Sequence, residues 1–545
     1  MASLLFVLSA VVVLVIMALP SQTLSWMRSE YLLVGMPLNW IESHTTGIDF
    51  DHVVMFALLG FFWRLLSPAT RGWRIALMLL ALGVATELMQ YVTPGRTPRL
   101  LDVRDDMAGG LAGLFLATML NWLGSHHAAL LSMSRWLLLA GVAVLPLQQW
   151  QVSAFGGYGV LPSDALFALA IGLRTIAWAS GRAPLRMAGF SAWLLAYVLV
   201  MAASCLVSAN VIGSAGKWLG VAYLAALAAL VCDLAGEAGF VRKLAWAWIG
   251  AAVVTSLLSL IAILGFYLAP GHAALQPLLS HYGSLPPGPY PRVHSTFTNA
   301  NMLCNYLTVA VCLLLAAHKL DWVGQRVFTI LLTCLLLSGL ATISPGIGGI
   351  ALVLGVWGWW SLREDSPWMA RLALAGGALI AALVLASTWL NPAAPFVLPS
   401  VRSQIWQQAW HTWLQHPMLG VGLGQDVAGV AFLDPSGNAQ WLTDAHNVWL
   451  SIAGQAGLLG LISLLGLTLW LLRGSLSLRD GTNDWANLHR ACAVALFSAL
   501  VYQGLTGSFE DARHLWVLVG LLAALKLRAP VATPVAMIGA PAARH

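Results

Sequence analysis

Charged residues are scarce in this chain of 545 residues, since Asp, Glu, Lys and Arg together make up only 9% of it. Apolar residues make up 59%, and the mean hydropathy is +0.80. This composition excludes an ordinary soluble domain, whose surface would need far more charge. The net charge of +6 comes from basic residues between apolar runs, so we do not interpret it as a nucleic-acid-binding patch.

Cysteine is also rare, and the six cysteines all lie within or at the ends of apolar runs. The sequence therefore indicates neither a disulfide framework nor a cysteine metal cluster. The G-x-G-x-G pattern of Gly420, Gly422 and Gly424 does not follow a strand in a βαβ unit. We interpret it as a flexible turn, and we expect no nucleotide and no other cofactor.

Long apolar runs dominate instead. We count about sixteen of them, and a bilayer core of about 30 Å takes one run of roughly 20 residues per helix. Because lipid cannot hydrogen-bond a backbone, we predict an all-α polytopic membrane protein with about sixteen transmembrane helices. With the N-terminus in the cytoplasm, 19 of the 27 basic residues fall on cytoplasmic loops, as such loops usually require. This topology places both termini in the cytoplasm and the largest loop, residues 391–445, outside it.

Polar side chains recur within the first four predicted spans. Glu87 and Gln90 lie three residues apart, so on a helix they face the same way. His52 and Asp102 lie near the starts of other spans, and Arg96 is the predicted partner of Glu87. A carboxylate within a span is costly and is usually paired or lines a site. Two interpretations stay open: an ion-pair network that locks four helices, and a contact site for a lipid or glycan.

These residues resemble the VanZ-like family over about residues 48–120. The shared features are a histidine early in one helix, E-x-x-Q followed by a P-G-R turn, and an aspartate that opens the next helix. The chain differs in two ways, because no lysine precedes His52 and Asp106 stands where the family commonly has asparagine. The resemblance implies a VanZ-like four-helix membrane domain at 1–125 and names no reaction. We assign 126–545 to a second membrane domain.

Three polar segments fall on the predicted outer face of that second domain. They contain Arg292 with Asn299 and Asn301, then Arg402, then Asp444 with His446 and Asn447. Arginine presents a fork of donors that suits phosphate oxygens. Histidine titrates near neutral pH, so His446 is our general-base candidate and Asp444 the residue that would orient it. The alternatives are arginines that extend to the surface and a histidine that caps a helix.

The surroundings of Arg402 favour the chemical interpretation. Pro399 and Ser400 predict a helix start, with Ser400 as the N-cap and Arg402 in the first turn. A cation opposes the helix dipole there, whereas a bound phosphate would suit both the arginine and the free N–H groups. Arginines that hold a diphosphate leaving group, with a histidine that activates a hydroxyl, describe glycosyl transfer from a lipid-linked donor. No acidic cluster in the outer loops forms a divalent-metal site, so we expect metal-independent chemistry.

Four motifs in this part of the chain resemble the O-antigen ligase/polymerase superfamily of bacterial membrane glycosyltransferases. They are R-x-x-S-T-F-x-N-x-N from Arg292, R-x-x-x-W from Arg402, H-P-x-x-G-x-G-x-G from His416, and H-N-x-W-L from His446. The resemblance covers about 130–528, some twelve spans, and implies a GT-C-like membrane fold. It also implies inverting transfer of a glycan from undecaprenyl diphosphate at the periplasmic face, with His446 as base and Arg292 and Arg402 on the diphosphate.

One difference from the superfamily concerns a hairpin. Many members carry Ser-Arg-Gly where this chain has Ser344-Pro345-Gly346, and Arg513 is our candidate for the missing charge. We predict a polymerase of repeat units in the bacterial inner membrane, whose partners are the donor, an acceptor glycan, membrane lipids and other polysaccharide-assembly proteins. Alternatives are a ligase acting on lipid A core and, in another class, a lipid-linked glycan transporter. A transporter would place polar residues near the bilayer midplane, where this chain has few.

Overall fold

The computed structural model describes residues 6–7, 10–11, 50–91, 93, 99–153, 159–179, 190–236, 238–269, 272–281, 291–389, 401–433, 439–473, 475, 484–507 and 512–528. In these residues the chain forms sixteen α-helices, one short 3-10 helix and three two-stranded antiparallel hairpins. The all-α class predicted from the sequence is therefore confirmed.

The helices are α1 (Phe50–Leu66), α2 (Gly72–Gln90), α3 (Leu100–Ser125), α4 (His127–Ala143), α5 (Pro162–Ala179), α6 (Phe190–Cys205), α7 (Val211–Leu234), α8 (Ala238–Leu268), α9 (Ala300–Lys319), α10 (Gln325–Ala341), α11 (Ile347–Leu362), α12 (Pro367–Trp389), α13 (Val401–Gln415), α14 (Val448–Leu472), α15 (Asp484–Thr506) and α16 (Arg513–Arg528). The hairpins pair β1 (Val152–Ser153) with β2 (Gly159–Val160), β3 (Leu279–His281) with β4 (Pro291–Val293), and β5 (Val430–Leu433) with β6 (Ala439–Leu442).

Seven of the described helices are long and apolar enough to cross a bilayer, or eight if α3 and α4 count as one bent span. Three further apolar helices, α6, α10 and α11, are shorter. Fifteen of the predicted spans overlap a helix, whereas the one near residue 10 lies mostly outside the described residues. The sixteenth helix is α13, which the sequence placed in the outer loop. The protein is a polytopic membrane protein, and the number of about sixteen spans stays a prediction.

The described residues form two compact units, one within Met1–Ser132 and Leu173–Pro184, the other within Met133–Gly172 and Leu185–His545. In the first unit, α1 and α3 approach closely through glycines. A Cβ added at Gly109 would lie 2.1 Å from the Val53 carbonyl oxygen, and one at Gly113 would lie 1.9 Å from that of Ala57. Two small residues four apart allow such backbone contact between membrane helices.

The first unit also draws on a later part of the chain. Leu130 and Ala177 are buried together, with Leu131, Leu173 and Ile176 packed against them. The unit therefore contains the start of α4 and the end of α5 besides α1 to α3, and it is discontinuous in sequence.

The second unit is organised around α9. Of the apolar window of α9, 89% is buried, against 11% for α12, so α9 lies at the centre and α12 faces outward. Aromatic packing contributes to this centre, because Trp248 of α8 stacks on Tyr306 of α9 with ring centroids 5.3 Å apart. α15 packs against α9, α11, α14 and α16.

The second unit has a polar end and a basic end. At the polar end, α9, α11 and α14 begin and α15 ends, and its reference residues are Asn301, Ser344, Asn447 and Tyr502. At the basic end, α9, α11 and α14 end and α15 begins, and its reference residues are Lys319, Arg363, Arg473 and Arg490. These helices run up and down between the two ends, and the side of the membrane on which each end lies stays a prediction.

Candidate active site

Arg292 is held at the polar end by two directed hydrogen bonds. It lies on β4, and its Nε donates to the Thr342 carbonyl at 2.9 Å while its Nη2 donates to Asn301 Oδ1 at 2.7 Å. Ser344 Oγ donates to the same Asn301 oxygen at 2.8 Å. The Thr342 carbonyl and the Asn301 amide are neutral acceptors, so these two bonds orient the guanidinium through fixed dipoles.

The connection between α10 and α11 supplies two groups of that arrangement, the Thr342 carbonyl and the Ser344 hydroxyl. Ile343, between Thr342 and Ser344, has φ of 44°, a left-handed conformation that is unfavourable for a β-branched residue. The Gly346 N–H donates to Ser344 Oγ at 3.1 Å, and a Cβ added at Gly346 would lie 2.9 Å from Cys304 Sγ. The Ser344-Pro345-Gly346 hairpin is therefore fitted closely against Arg292 and the start of α9.

His446 lies between β6 and α14 in a left-handed conformation, with φ of 46°. Its Nδ1 is 3.4 Å from Asp444 Oδ2, and both side chains are about 40% exposed. The other oxygen of Asp444 accepts a hydrogen bond from Ser451 Oγ at 2.5 Å. Asp444 is thus fixed to α14, and the imidazole beside it is accessible, as a general base must be.

The two predicted asparagines at helix starts have structural partners. Asn447 Oδ1 accepts from the N–H groups of Trp449 and Leu450 and caps α14, and Asn299 Oδ1 accepts from the Asn301 N–H and caps α9. These contacts satisfy N–H groups that have no partner inside the helix. Their assignment as substrate-binding residues stays a prediction.

Arg402 lies half-buried in the first turn of α13, as predicted, whereas Ser400, its predicted N-cap, lies outside the described residues. One turn later Trp406 is buried against Tyr502 and Leu505 of α15. The Trp406 indole N–H donates to the Ala445 carbonyl at 3.0 Å. The R-x-x-x-W motif therefore joins the arginine-bearing helix to the residue that precedes His446.

Tyr502 links the arginine and histidine segments. It packs on Trp406, and a Cβ added at Gly348 in α11 would lie 2.2 Å from the Tyr502 hydroxyl oxygen. The end of α15 also contacts α14, because a Cβ at Gly504 would lie 3.0 Å from the Trp449 ring. Arg292, Arg402 and His446 are thus carried by elements that meet at the polar end. A cavity shared by their side chains stays a prediction.

Arg513, the first residue of α16, is paired with a carboxylate of α5. Its Nε and Nη2 donate to the two oxygens of Asp164 at 3.1 and 3.0 Å. Tyr223 and the Leu161 N–H donate to the same carboxylate. This bidentate ion pair joins α16 to α5. It gives Arg513 a structural partner that the sequence did not suggest. Its role as a replacement charge at the hairpin stays a prediction.

The three glycines after His416 do form a turn, because Gly420, Gly422 and Gly424 all have positive φ. The turn is hydrogen-bonded to α14, which corrects the expectation of flexibility: Val421 N–H donates to the Gly454 carbonyl at 2.8 Å. α14 is broken at the same place, since Gly457 has φ of 65° and a Cβ there would lie 2.3 Å from the Met418 backbone. Glycine is needed on both sides of this contact.

The polar cluster of the first unit forms largely as predicted. Gln90 Nε2 donates to Glu87 Oε1 at 2.8 Å, and the Arg99 backbone N–H donates to Glu87 Oε2 at 2.8 Å. His52 Nδ1 lies 2.8 Å from Asp106, which the sequence analysis named as a departure from the VanZ-like pattern and did not assign to this cluster. Arg96, the predicted partner of Glu87, lies outside the described residues.

This cluster could also hold a cation. One ligand atom each from His52, Glu87 and Asp102 lie within 4.8 Å of one another, and His52 and Glu87 are buried. Such nitrogen and oxygen donors suit a divalent ion, and the Asp106 carboxylate beside the imidazole resembles the outer support of many metal sites. The sequence predicted no metal here, since it did not bring these three residues together.

Residues 327–465 match the family model described as O-antigen ligase, and residues 4–121 match the one described as VanZ/LLP1. Together with the polytopic membrane fold, the first match supports, at a coarse level, a membrane enzyme of the glycosyltransferase-like ligase or polymerase type. Both predicted resemblances are confirmed. The first match includes Arg402 and His446, whereas Arg292 precedes it. No curated protein matches the chain.

Proposed function

We propose that this protein transfers a glycan from an undecaprenyl-diphosphate donor to an acceptor hydroxyl at the outer face of the bacterial cytoplasmic membrane. The observation that carries the proposal is the polar end, where the segments bearing Arg292, Arg402 and His446 rest on one another through Trp406 and Tyr502. The O-antigen ligase match supports lipid-linked glycan and acceptor substrates at a coarse level.

The proposed reaction is a single displacement at the anomeric carbon. His446 accepts the proton of the acceptor hydroxyl. At the same time the hydroxyl oxygen bonds to the anomeric carbon from the side opposite the diphosphate. The bond from that carbon to the diphosphate oxygen breaks, so the configuration inverts and undecaprenyl diphosphate leaves. Asp444, 3.4 Å from His446 Nδ1, stabilises the imidazolium that forms.

The arginines act on the leaving group in this proposal. Negative charge grows on the diphosphate as the glycosidic bond breaks, and fixed guanidinium groups stabilise it without having to reorganise. Arg292 is suited to this role because two neutral acceptors already fix its orientation. We propose that this placement lets the reaction proceed without a divalent metal.

The acceptor distinguishes two activities. We propose that it is a second lipid-linked glycan, so that the enzyme polymerises repeat units, because a VanZ-like region is not a usual feature of ligases. The second candidate is ligation to lipid A core, which the description of the matching family model favours. Deleting the gene and sizing the surface glycan separates them. Loss of polymer with single units still delivered supports the polymerase, whereas intact polymer left on its lipid carrier supports the ligase.

The transfer itself is tested with purified protein reconstituted in lipid with a lipid-linked donor. We expect release of undecaprenyl diphosphate together with a lengthened or newly attached glycan. Glycan movement across the bilayer without any new glycosidic bond would instead identify a transporter and would refute the enzyme assignment.

A further inference from the structure

A cavity of about 600 Å³ lies at the basic end of the second unit, away from the candidate active site. It is lined by the last three turns of α11, the end of α14, the central turns of α15 and Cys312 of α9. Its walls are mainly apolar and aromatic, and they include Trp357, Trp359, Trp360 and Phe497. A hydrocarbon chain suits such walls, since apolar surface is buried without loss of hydrogen bonds.

Basic side chains gather at the same cavity. Arg363 and Arg490 line it, and Arg363 lies over the Trp359 ring at 5.6 Å from its centroid. Lys319 and Arg490 both lie over the ring of Trp360, at 3.8 and 5.4 Å. The three cations repel one another, and Glu364 offsets part of this repulsion at Lys319, so an anion bound among the cations would reduce the repulsion further. The group suits a ligand with negative charge at one end of an apolar body.

A buried hydroxyl in the wall of the cavity also indicates a bound ligand. Ser498 lines the cavity and is fully buried, and its Oγ has no hydrogen-bond partner among the described residues. It lies two turns along α15 from Arg490. A buried donor without an acceptor is costly, and an ester carbonyl of a bound lipid would accept its hydrogen bond.

We propose that this cavity binds an anionic membrane phospholipid, with its phosphate on Arg363 and Arg490, an acyl chain among the tryptophans and an ester carbonyl on Ser498. Charge complementarity selects an anionic over a zwitterionic lipid. The predicted topology places the basic end at the cytoplasmic leaflet, where basic pockets between membrane helices commonly bind anionic headgroups. The inference does not depend on the proposed transferase activity, because it concerns another part of the molecule and another ligand.

The test is lipid binding by the purified full-length protein, measured by native mass spectrometry with phosphatidylglycerol against phosphatidylcholine of the same chain length. We expect preferential binding of phosphatidylglycerol, weakened by about tenfold or more in the double variant Arg363→Gln/Arg490→Gln. The matched control is Arg326→Gln/Arg371→Gln, which removes two exposed arginines on the same predicted side that do not line the cavity. It should leave the preference unchanged.

Two further variants keep the test decisive if the double variant folds poorly. Val494→Trp fills the cavity and should abolish tight binding, whereas Arg363→Lys/Arg490→Lys keeps both charges and should retain most of it. Equal binding of the two lipids, or phosphatidylglycerol binding unaffected by both the double Gln variant and Val494→Trp, would overturn the proposal. Displacement of phosphatidylglycerol by equimolar undecaprenyl phosphate would overturn the choice of a phospholipid.

Discussion

The polar and basic ends of the second unit use arginine in different ways. At the polar end, Arg292 makes directed bonds to Thr342 and Asn301, which fix both its position and its angle. At the basic end, Arg363 and Arg490 lie over tryptophan rings beside an apolar cavity. A guanidinium with a fixed position suits a leaving group whose negative charge develops at one place during a reaction. Cations that lie over aromatic rings suit a lipid headgroup, which can change its position among them.

The backbone shows the same contrast. Three of the four described non-glycine residues with positive φ, Ser295, Ile343 and His446, lie in the connections of the polar end. The fourth, Asp321, lies beyond α9 at the basic end. Such conformations cost free energy and persist where the surroundings impose them, often at functional sites. The polar end therefore keeps strained backbone conformations that lower the stability of the fold. Variants of residues at this end test the contrast with the basic end.

Replacing His446 with alanine should have the largest effect. Loss of the general base should lower the transfer rate by about a hundredfold to ten-thousandfold. The measurement is turnover of purified protein with a lipid-linked donor. His411→Ala removes an exposed histidine of α13 and should leave turnover unchanged. Equal activity of the two variants would remove the catalytic role of His446.

Arg292→Lys should lower turnover by about tenfold to hundredfold, because lysine keeps the charge but cannot donate in two fixed directions. Arg326→Lys, at an exposed position of α10, is the matched control and should have no effect. If Arg292→Lys were fully active, charge alone would suffice and the contrast between the ends would disappear.

Gly348→Ala should destabilise the protein by about 1–3 kcal/mol, because its Cβ would lie 2.2 Å from the Tyr502 hydroxyl and would displace that ring. Gly376→Ala, in α12, meets nothing within 4 Å and should stabilise by up to about 1 kcal/mol. Thermal unfolding in detergent measures both. Similar melting temperatures for the two variants would show that Tyr502 does not connect the segments.

Asp444→Asn should have the smallest effect, a decrease in kcat of about threefold to tenfold with little change in KM. The amide keeps an acceptor for Ser451 but loses the charge that stabilises the imidazolium. Asp426→Asn, an exposed residue after the glycine turn, is the control. A change confined to KM would indicate substrate contact and would contradict the orienting role.

Much of the site could be predicted from local sequence. Hydropathy predicted fifteen of the helices, and the Pro399-Ser400 pair placed Arg402 in the first turn of a helix. What could not be predicted depends on pairs far apart in the chain. Asp106 meets His52 across 54 residues, and Asp164 meets Arg513 across 349, so no spacing reveals either pair.

Backbone breaks were a second source of missed features. The kink at Gly457 depends on the neighbouring Met418 segment, and an apolar run gives no sign of it. The three-residue group of His52, Glu87 and Asp102 was missed as a cation site for a related reason. Hydropathy assigns each residue to a helix but does not say which faces of separate helices meet.

The discontinuity of the first unit has a consequence for biosynthesis. Leu173 and Ala177 emerge from the ribosome long after α1 to α3. Leu130 and Leu131 therefore stay exposed until Leu173 and Ala177 pack against them. An N-terminal fragment ending near residue 125 would lack this last piece. The first unit thus matures only after part of the second has been made, and truncation at the apparent domain border would yield an incomplete product.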